Sequence, residues 1–174
     1  KKGFRGSGIC GPEIRIKIKM TIRIDPAATA PLKETSLYAP VKTWLERQGY
    51  TVRGEVGRCD IAAVKDENLI VVELKLKASM ALLAQAAERQ DYADAVYIAL
   101  PVTGKRRRPP DSGNLHRLLR RLGIGLILVV FLKKSVRVEI ISHPGEEPQS
   151  NRRKRPKRRG AILREVAGRD MDLT

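Results

Sequence analysis

Apolar and charged residues alternate from Ile14 to Ile24. Ile14, Ile16, Ile18, Met20, Ile22 and Ile24 interleave with Arg15, Lys17, Lys19, Thr21 and Arg23. A period of two predicts an amphipathic strand, a candidate sheet edge, and Asp25-Pro26 ends it. From Lys33 to Gln48 the period lengthens: Leu37, Val41, Trp44 and Leu45 follow helical spacing. Pro40 predicts a kink or a first turn in that helix, and Gly49 predicts its end. Three short strands follow, Tyr50–Glu55, Cys59–Lys65 and Leu69–Leu76, punctuated by turns at Gly57-Arg58 and Asp66-Glu67-Asn68. Ser79–Asp91 is Ala-rich and predicts a helix with Ser79 as its N-cap. Ala95–Leu100 predicts a strand ended by Pro101, and Leu115–Leu122 a helix ended by Gly123. Ile124–Leu132 and Val136–Ile141 predict two further strands. His143-Pro144-Gly145 closes the compact part, and Ala161–Val166 predicts one short helix beyond it.

The order α-β-β-β-α-β-α-β-β predicts an α/β fold, a mixed sheet flanked by helices with extra strands at the C-terminal side. The chain divides into an N-terminal extension (1–31), a compact domain (32–143) and a basic, flexible tail (144–174). Met20 is a candidate initiator.

Composition narrows the function classes. Of 174 residues, 42% are hydrophobic but only 4% aromatic, so the core is aliphatic. The formal net charge is +16, which excludes a typical acidic enzyme. Most of the excess sits in two clusters: Lys105, Arg106, Arg107 and Arg108, then Arg152, Arg153, Lys154, Arg155, Lys157, Arg158 and Arg159. Clustered cations are the footprint of a polyanion partner, most often nucleic acid. A solvated tail without a ligand is the bland alternative. No apolar run approaches the length of a membrane span, and the first residues lack a signal-peptide pattern. Cys10 and Cys59 form neither a disulfide framework nor a metal motif, so a reducing, cytoplasmic setting is expected.

The strand Leu69–Leu76 carries the candidate chemistry. Its first half is apolar on both faces, the pattern of a covered strand. Alternation then puts Glu73 and Lys75 on one face and Leu74 and Leu76 on the other. Charge on a covered strand is costly unless paired or metal-bound. The bland alternative is a strand emerging into solvent with a weak surface bridge. Folding back about Asp66–Asn68 brings Asp60 of the preceding strand to the level of Glu73 or Lys75. Two carboxylates and a lysine would then converge, and carboxylate oxygens suit Mg2+.

Asp60, a hairpin, Glu73-Leu74-Lys75 and an Ala-rich helix together resemble the PD-(D/E)XK nuclease superfamily. The αβββαβ order from Lys33 to Pro101 resembles its restriction-endonuclease-like core. Leu37-Tyr38-Ala39-Pro40-Val41-Lys42, Gly49-Tyr50-Thr51-Val52 and Gly54-Glu55-Val56-Gly57-Arg58-Cys59-Asp60-Ile61 resemble one bacterial branch. That branch is a group of predicted phosphodiesterases catalogued as a domain of unknown function. The resemblance covers residues 32–141. It implies that Asp60 and Glu73 ligate Mg2+ or Mn2+ and that Lys75 assists the attacking water. It also implies a glutamate on the first helix, for which Glu34 is the candidate. The glutamine on the helix after the lysine strand would be Gln85, in the stripe Leu82, Gln85, Arg89, Tyr92, with Gln90 as its rival. Glu34 has an alternative as a first-turn carboxylate favoured by the helix dipole, and Gln85 one as a hydrogen-bonded core residue. Glu55 is read as solvated.

Other polar residues receive plainer readings. His116 and His143 lack a paired ligand and read as structural or exposed. Cys59 reads as a small buried residue. Tyr38, Trp44, Tyr92 and Tyr97 are too scattered for a base-stacking platform. The expected function is therefore a metal-dependent nuclease acting on nucleic acid, DNA favoured over RNA, with a homodimer left open. The alternative is a non-catalytic nucleic-acid-binding module using the basic clusters at 105–108 and 152–159.

Overall fold

The computed structural model describes residues 19–22, 32–103, 112–132, 135–145 and 156–168. In chain order the elements are β1 (Lys19–Ile22), α1 (Thr35–Glu46), β2 (Thr51–Val56), β3 (Cys59–Lys65), β4 (Asn68–Leu74) and α2 (Met80–Arg89). β5 (Ala95–Thr103), α3 (Ser112–Leu122), β6 (Gly125–Phe131), β7 (Val136–Ser142) and α4 (Pro156–Gly168) follow. The strands form one sheet in the order β1-β7-β6-β5-β4-β3-β2. β4, β5 and β6 are parallel at its centre. The pairs β2–β3, β3–β4, β6–β7 and β1–β7 are antiparallel. This is an α/β fold whose αβββαβ core carries β6 and β7 as further strands, as the hydrophobic pattern predicts. Of the expected strand at Ile14–Ile24, Lys19–Ile22 pair at the sheet edge with β7, and the rest lies outside the described residues. No helix among the described residues is long and apolar enough to cross a membrane.

Strand alternation sends side chains to two layers. Ile70, Val72 and Leu74 join Tyr97, Ala99, Ile127 and Val129 beneath α1, whose Leu37, Val41, Trp44 and Leu45 are buried there. α1 lies across the strands and touches β2 through β7. Pro40 sits inside α1 and is itself buried, and the helix continues through it because that apolar face is packed. On the other face Val71, Ile98 and Leu126 pack under Leu82, Leu83 and Ala86 of α2 and Leu119 of α3. Ser79 caps α2 as expected, its hydroxyl accepting from Leu82 N–H at 3.2 Å.

Two expectations are corrected. Pro101 does not end β5, which runs on to Thr103. The Ala99 carbonyl accepts from Lys75 N–H on the β4 side, so Pro101, two residues on, turns its nitrogen to that side after β4 has ended. No ladder bond is lost there. The tail expected to be flexible contains α4, which packs on β2 and β3. Ile162 and Val166 are buried in the α2–α3 layer, and Arg159 bonds the Asp94 carboxylate. The same carboxylate accepts from Leu69 N–H at 2.8 Å, which ties α4 to the start of β4.

Candidate active site

The β2–β3 turn and the end of β4 meet at one end of the sheet. The β3–β4 ladder runs from Lys65↔Asn68 to Ile61↔Val72. One step further, Asp60 stands beside Glu73, and there the ladder opens. Asp60 Oδ2 accepts from Leu74 N–H at 2.7 Å, a side chain standing where a strand carbonyl would otherwise bond. The backbone opposite is also irregular: Glu55 has φ of 50°, a left-handed conformation unusual for a residue with a Cβ. Its effect is visible in the layers. Val52 lies beneath α1 but Val56 lies in the opposite layer, although even residues of a regular strand share a face. On β3, Cys59 and Ile61 are divided in the same way, with Asp60 between them. The exposed Glu55 thus marks a twist that turns the hairpin end over and sets the position of Asp60.

Glu73 is 2% exposed and faces the α2 layer. Its Oε1 accepts from Arg89 Nε at 2.7 Å. Arg89 is equally buried, at the end of α2, and its other nitrogens reach the Glu88 carboxylate and the Arg58 carbonyl. Burial foremost, and then the Asp60 carboxylate, raise the Glu73 carboxyl above the usual range, while Arg89 and Lys75 oppose the rise. Desolvation pulls Arg89 down most strongly, but the Glu73 charge, Tyr92, the hydrogen bond to Glu73, and Cys59 together outweigh it and hold the guanidinium raised.

Lys75 lies one residue past β4, and its Nζ donates to Glu34 Oε2 at 2.8 Å. Glu34 is the N-cap residue of α1 and makes no side-chain cap bond, so its carboxylate is engaged with the lysine rather than with the helix end. That hydrogen bond raises the Lys75 ammonium. Partial desolvation pulls the other way, and the charges of Asp60, Glu34 and Glu73 add to the rise. Glu73 and Lys75 therefore do not share a face, contrary to strict alternation. The strand ends between them, so Lys75 turns to α1 while Glu73 stays under α2.

Glu34, Asp60, Glu73 and Lys75 are thus brought to one end of the sheet. Gln85 is not: it is exposed on α2, because the buried stripe runs through Leu82, Leu83, Ala86 and Arg89, one position away. Its rival Gln90 is buried and donates to the Leu122 and Gly123 carbonyls at the end of α3, a structural role. Arg89 was visible in the sequence only as a charge in a core-facing stripe. Cys59 is buried and in no disulfide among the described residues, its Sγ 3.1 Å from the Tyr92 hydroxyl. His143 Nδ1 lies 3.0 Å from the Tyr97 hydroxyl, and His116 is half-buried on α3. Of the basic residues, Lys105, Arg106, Arg107, Arg108, Arg152, Arg153, Lys154 and Arg155 lie outside the described residues, as does the Arg158 side chain. Lys157 is exposed, whereas Arg159 is bonded to Asp94.

Among the described residues no three His, Cys, Asp or Glu side chains gather closely enough to hold an ion by themselves. What the site presents is a pair of carboxylates, one lysine and one buried arginine at one end of an α/β sheet. No protein-family model, curated protein or solved structure matches the chain.

Proposed function

We propose that the chain is a metal-dependent phosphodiesterase acting on nucleic acid, with a PD-(D/E)XK-like site. The observation that carries this reading is the convergence of Asp60, Glu73, Lys75 and Glu34 from three separate stretches of chain onto one end of the sheet. Asp60 and Glu73 would hold Mg2+ or Mn2+. Each has one oxygen bonded to protein, and among the described residues Asp60 Oδ1 and Glu73 Oε2 carry no such bond. Two carboxylates suit Mg2+, which keeps several waters and takes remaining ligands from a substrate phosphate. Bound there, such an ion would acidify a water and neutralise phosphate charge. Asp60 is held by the Leu74 amide and Glu73 by Arg89, so both carboxylates are fixed beforehand. The Lys75 ammonium, oriented by Glu34 and raised above its usual range, stays protonated at neutral pH. It can donate to a water or to a developing phosphate oxygen. The basic clusters at 105–108 and 152–158 would hold the phosphate backbone without reading sequence. A chain with two cysteines and no disulfide framework suits a reducing, cytoplasmic setting.

The second reading is a nucleic-acid-binding module without catalysis. Its favouring observation is the Glu73–Arg89 pair, which already neutralises the buried carboxylate. Incubation of labelled DNA and RNA with Mg2+, Mn2+ or EDTA separates the two. Divalent-dependent cleavage by the parent, lost in Asp60→Asn, Glu73→Gln and Lys75→Ala, supports the enzyme. Tight binding with no cleavage under any condition leaves the module. Apo stability alone does not discriminate, because Glu73→Gln also weakens the buried pair with Arg89.

A further inference from the structure

We infer that Arg89 is a positioning residue, which acts through Glu73 and the turn leading into Asp60 to set the spacing of the two carboxylates. The inference rests on the phosphodiesterase reading above. Arg89 uses its whole fork: Nε donates to Glu73 Oε1 at 2.7 Å, Nη1 to Glu88 Oε2 at 3.2 Å, and Nη2 to the Arg58 carbonyl. Arg58 closes the β2–β3 turn, two residues before Asp60. One rigid, planar group therefore ties the β4 carboxylate to the main chain that delivers the β3 carboxylate. A guanidinium presents its donors in fixed directions, whereas a lysine ammonium is a rotatable point charge. The ladder between β3 and β4 ends at Ile61↔Val72, so the main chain does not hold the two residues at this level. Glu73 is held in the β4–β5 ladder opposite Ile98, and across the gap to β3 Arg89 and the Asp60–Leu74 bond make the link. A buried pair such as Glu73–Arg89 is seldom needed for stability, since apolar residues of similar volume serve as well. Partners that orient metal-binding groups typically matter by about 10–100-fold in metal affinity or activity.

The test is a double-mutant cycle read by Mn2+ calorimetry and by cleavage of labelled DNA at saturating Mn2+. The set is the parent, Arg89→Met, Arg89→Lys, Glu73→Gln and the Glu73→Gln/Arg89→Met pair. Arg89→Met is expected to weaken Mn2+ binding by about 10–100-fold, and Arg89→Lys to recover only part of it. In the Glu73→Gln background Arg89→Met should weaken Mn2+ binding by much less than in the parent, the remainder being its hold on Asp60 through the Arg58 carbonyl. A purely structural arginine would lower the melting temperature in both backgrounds while the folded variants keep the Mn2+ affinity of their background. If Arg89→Met does not fold, Arg89→Lys decides, with an expected loss of about tenfold. Parent-like Mn2+ affinity in Arg89→Lys, or losses that simply add across the cycle, overturns this inference alone. A parent that neither binds Mn2+ nor cleaves overturns the phosphodiesterase reading and this inference with it.

Discussion

Replacing Ile162 with Ala tests whether α4 belongs to the folded domain. Ile162 is 5% exposed, and its Cδ1 lies 3.0 Å from where a Cβ on Gly57 would stand, so it seats directly on the β2–β3 turn. The substitution removes three carbons, worth about 0.8 kcal/mol each when buried. The helix lies at the edge of the layer and can settle, so the cavity term should be small and the cost should fall near the lower end of the usual aliphatic range, about 2–3 kcal/mol. For a chain of this size that is a fall of roughly 5–10 °C in melting temperature. Urea unfolding followed by circular dichroism measures it. Trypsin supplies a second readout, because Arg159 and Arg164 are protected only while α4 is docked. Cleavage at those residues should quicken in step with the lost stability. A parent-like urea midpoint, with trypsin cutting parent and variant equally fast, would show that α4 contributes nothing to the fold and refute the reasoning.

Three further outcomes are expected. Gly125→Ala would put a Cβ 2.3 Å from Tyr97 Cδ1, and that buried ring is bonded to His143. Overpacking of about 2–3 kcal/mol should follow, with Tyr97→Leu restoring part of it, and a parent-like melting temperature would contradict this. In metal-free buffer the raised Glu73 carboxyl favours the protonated form of the fold. Its contribution is full below the ordinary glutamate value, about 4.3, and is lost as pH rises through the folded value. The stability of the parent relative to Glu73→Gln should therefore fall as pH rises through that window, and a difference that grows instead would reverse the argument. Glu34→Gln should cost less than about 1 kcal/mol, since the pair with Lys75 is partly exposed. Lys75 is raised, so the deficit should persist at neutral pH and disappear only as pH climbs through the folded value above about 10.4, the ordinary lysine value. An equal deficit on both sides of that range would count against the pair.

The elements were legible because each carries an unbroken period, and counting back from the Asp66–Asn68 turn brought Asp60 to the level of Glu73 or Lys75, of which the ladder selects Glu73. What escaped the sequence were consequences of neighbours. Pro101 breaks a strand only where another strand needs its N–H, and β4 has stopped by then. Glu73 and Lys75 share a face only if the strand continues through both, and it ends at Leu74. Gln85 looked core-facing because a stripe through Leu82 and Arg89 can be drawn with steps of three or of four. Packing chose Ala86. The docking of α4 was masked by charge: a short helix was expected at Ala161–Val166, with Ile162 and Val166 one turn apart, but the surrounding cations read as a solvated tail. Arg89 stood in the core-facing stripe, but its partner Glu73 is 16 residues away in sequence, too far for any local period to pair them.

One helix covering one side of the sheet has a consequence for how this molecule comes apart. On the opposite side α2, α3 and α4 rest on different strands, so each can lift away while the others hold. Beneath α1 no such partial opening exists. It touches six strands, and releasing it exposes Trp44, Leu37 and the inner side chains of most of the sheet together. Excursions that separate Glu34 from Lys75 by moving the helix itself are therefore as rare as unfolding of the whole domain, whereas the α4 side can breathe on a lower rung of free energy. Half of the candidate site is locked to global cooperativity, and the layer over β2 and β3 is free to fluctuate beside it.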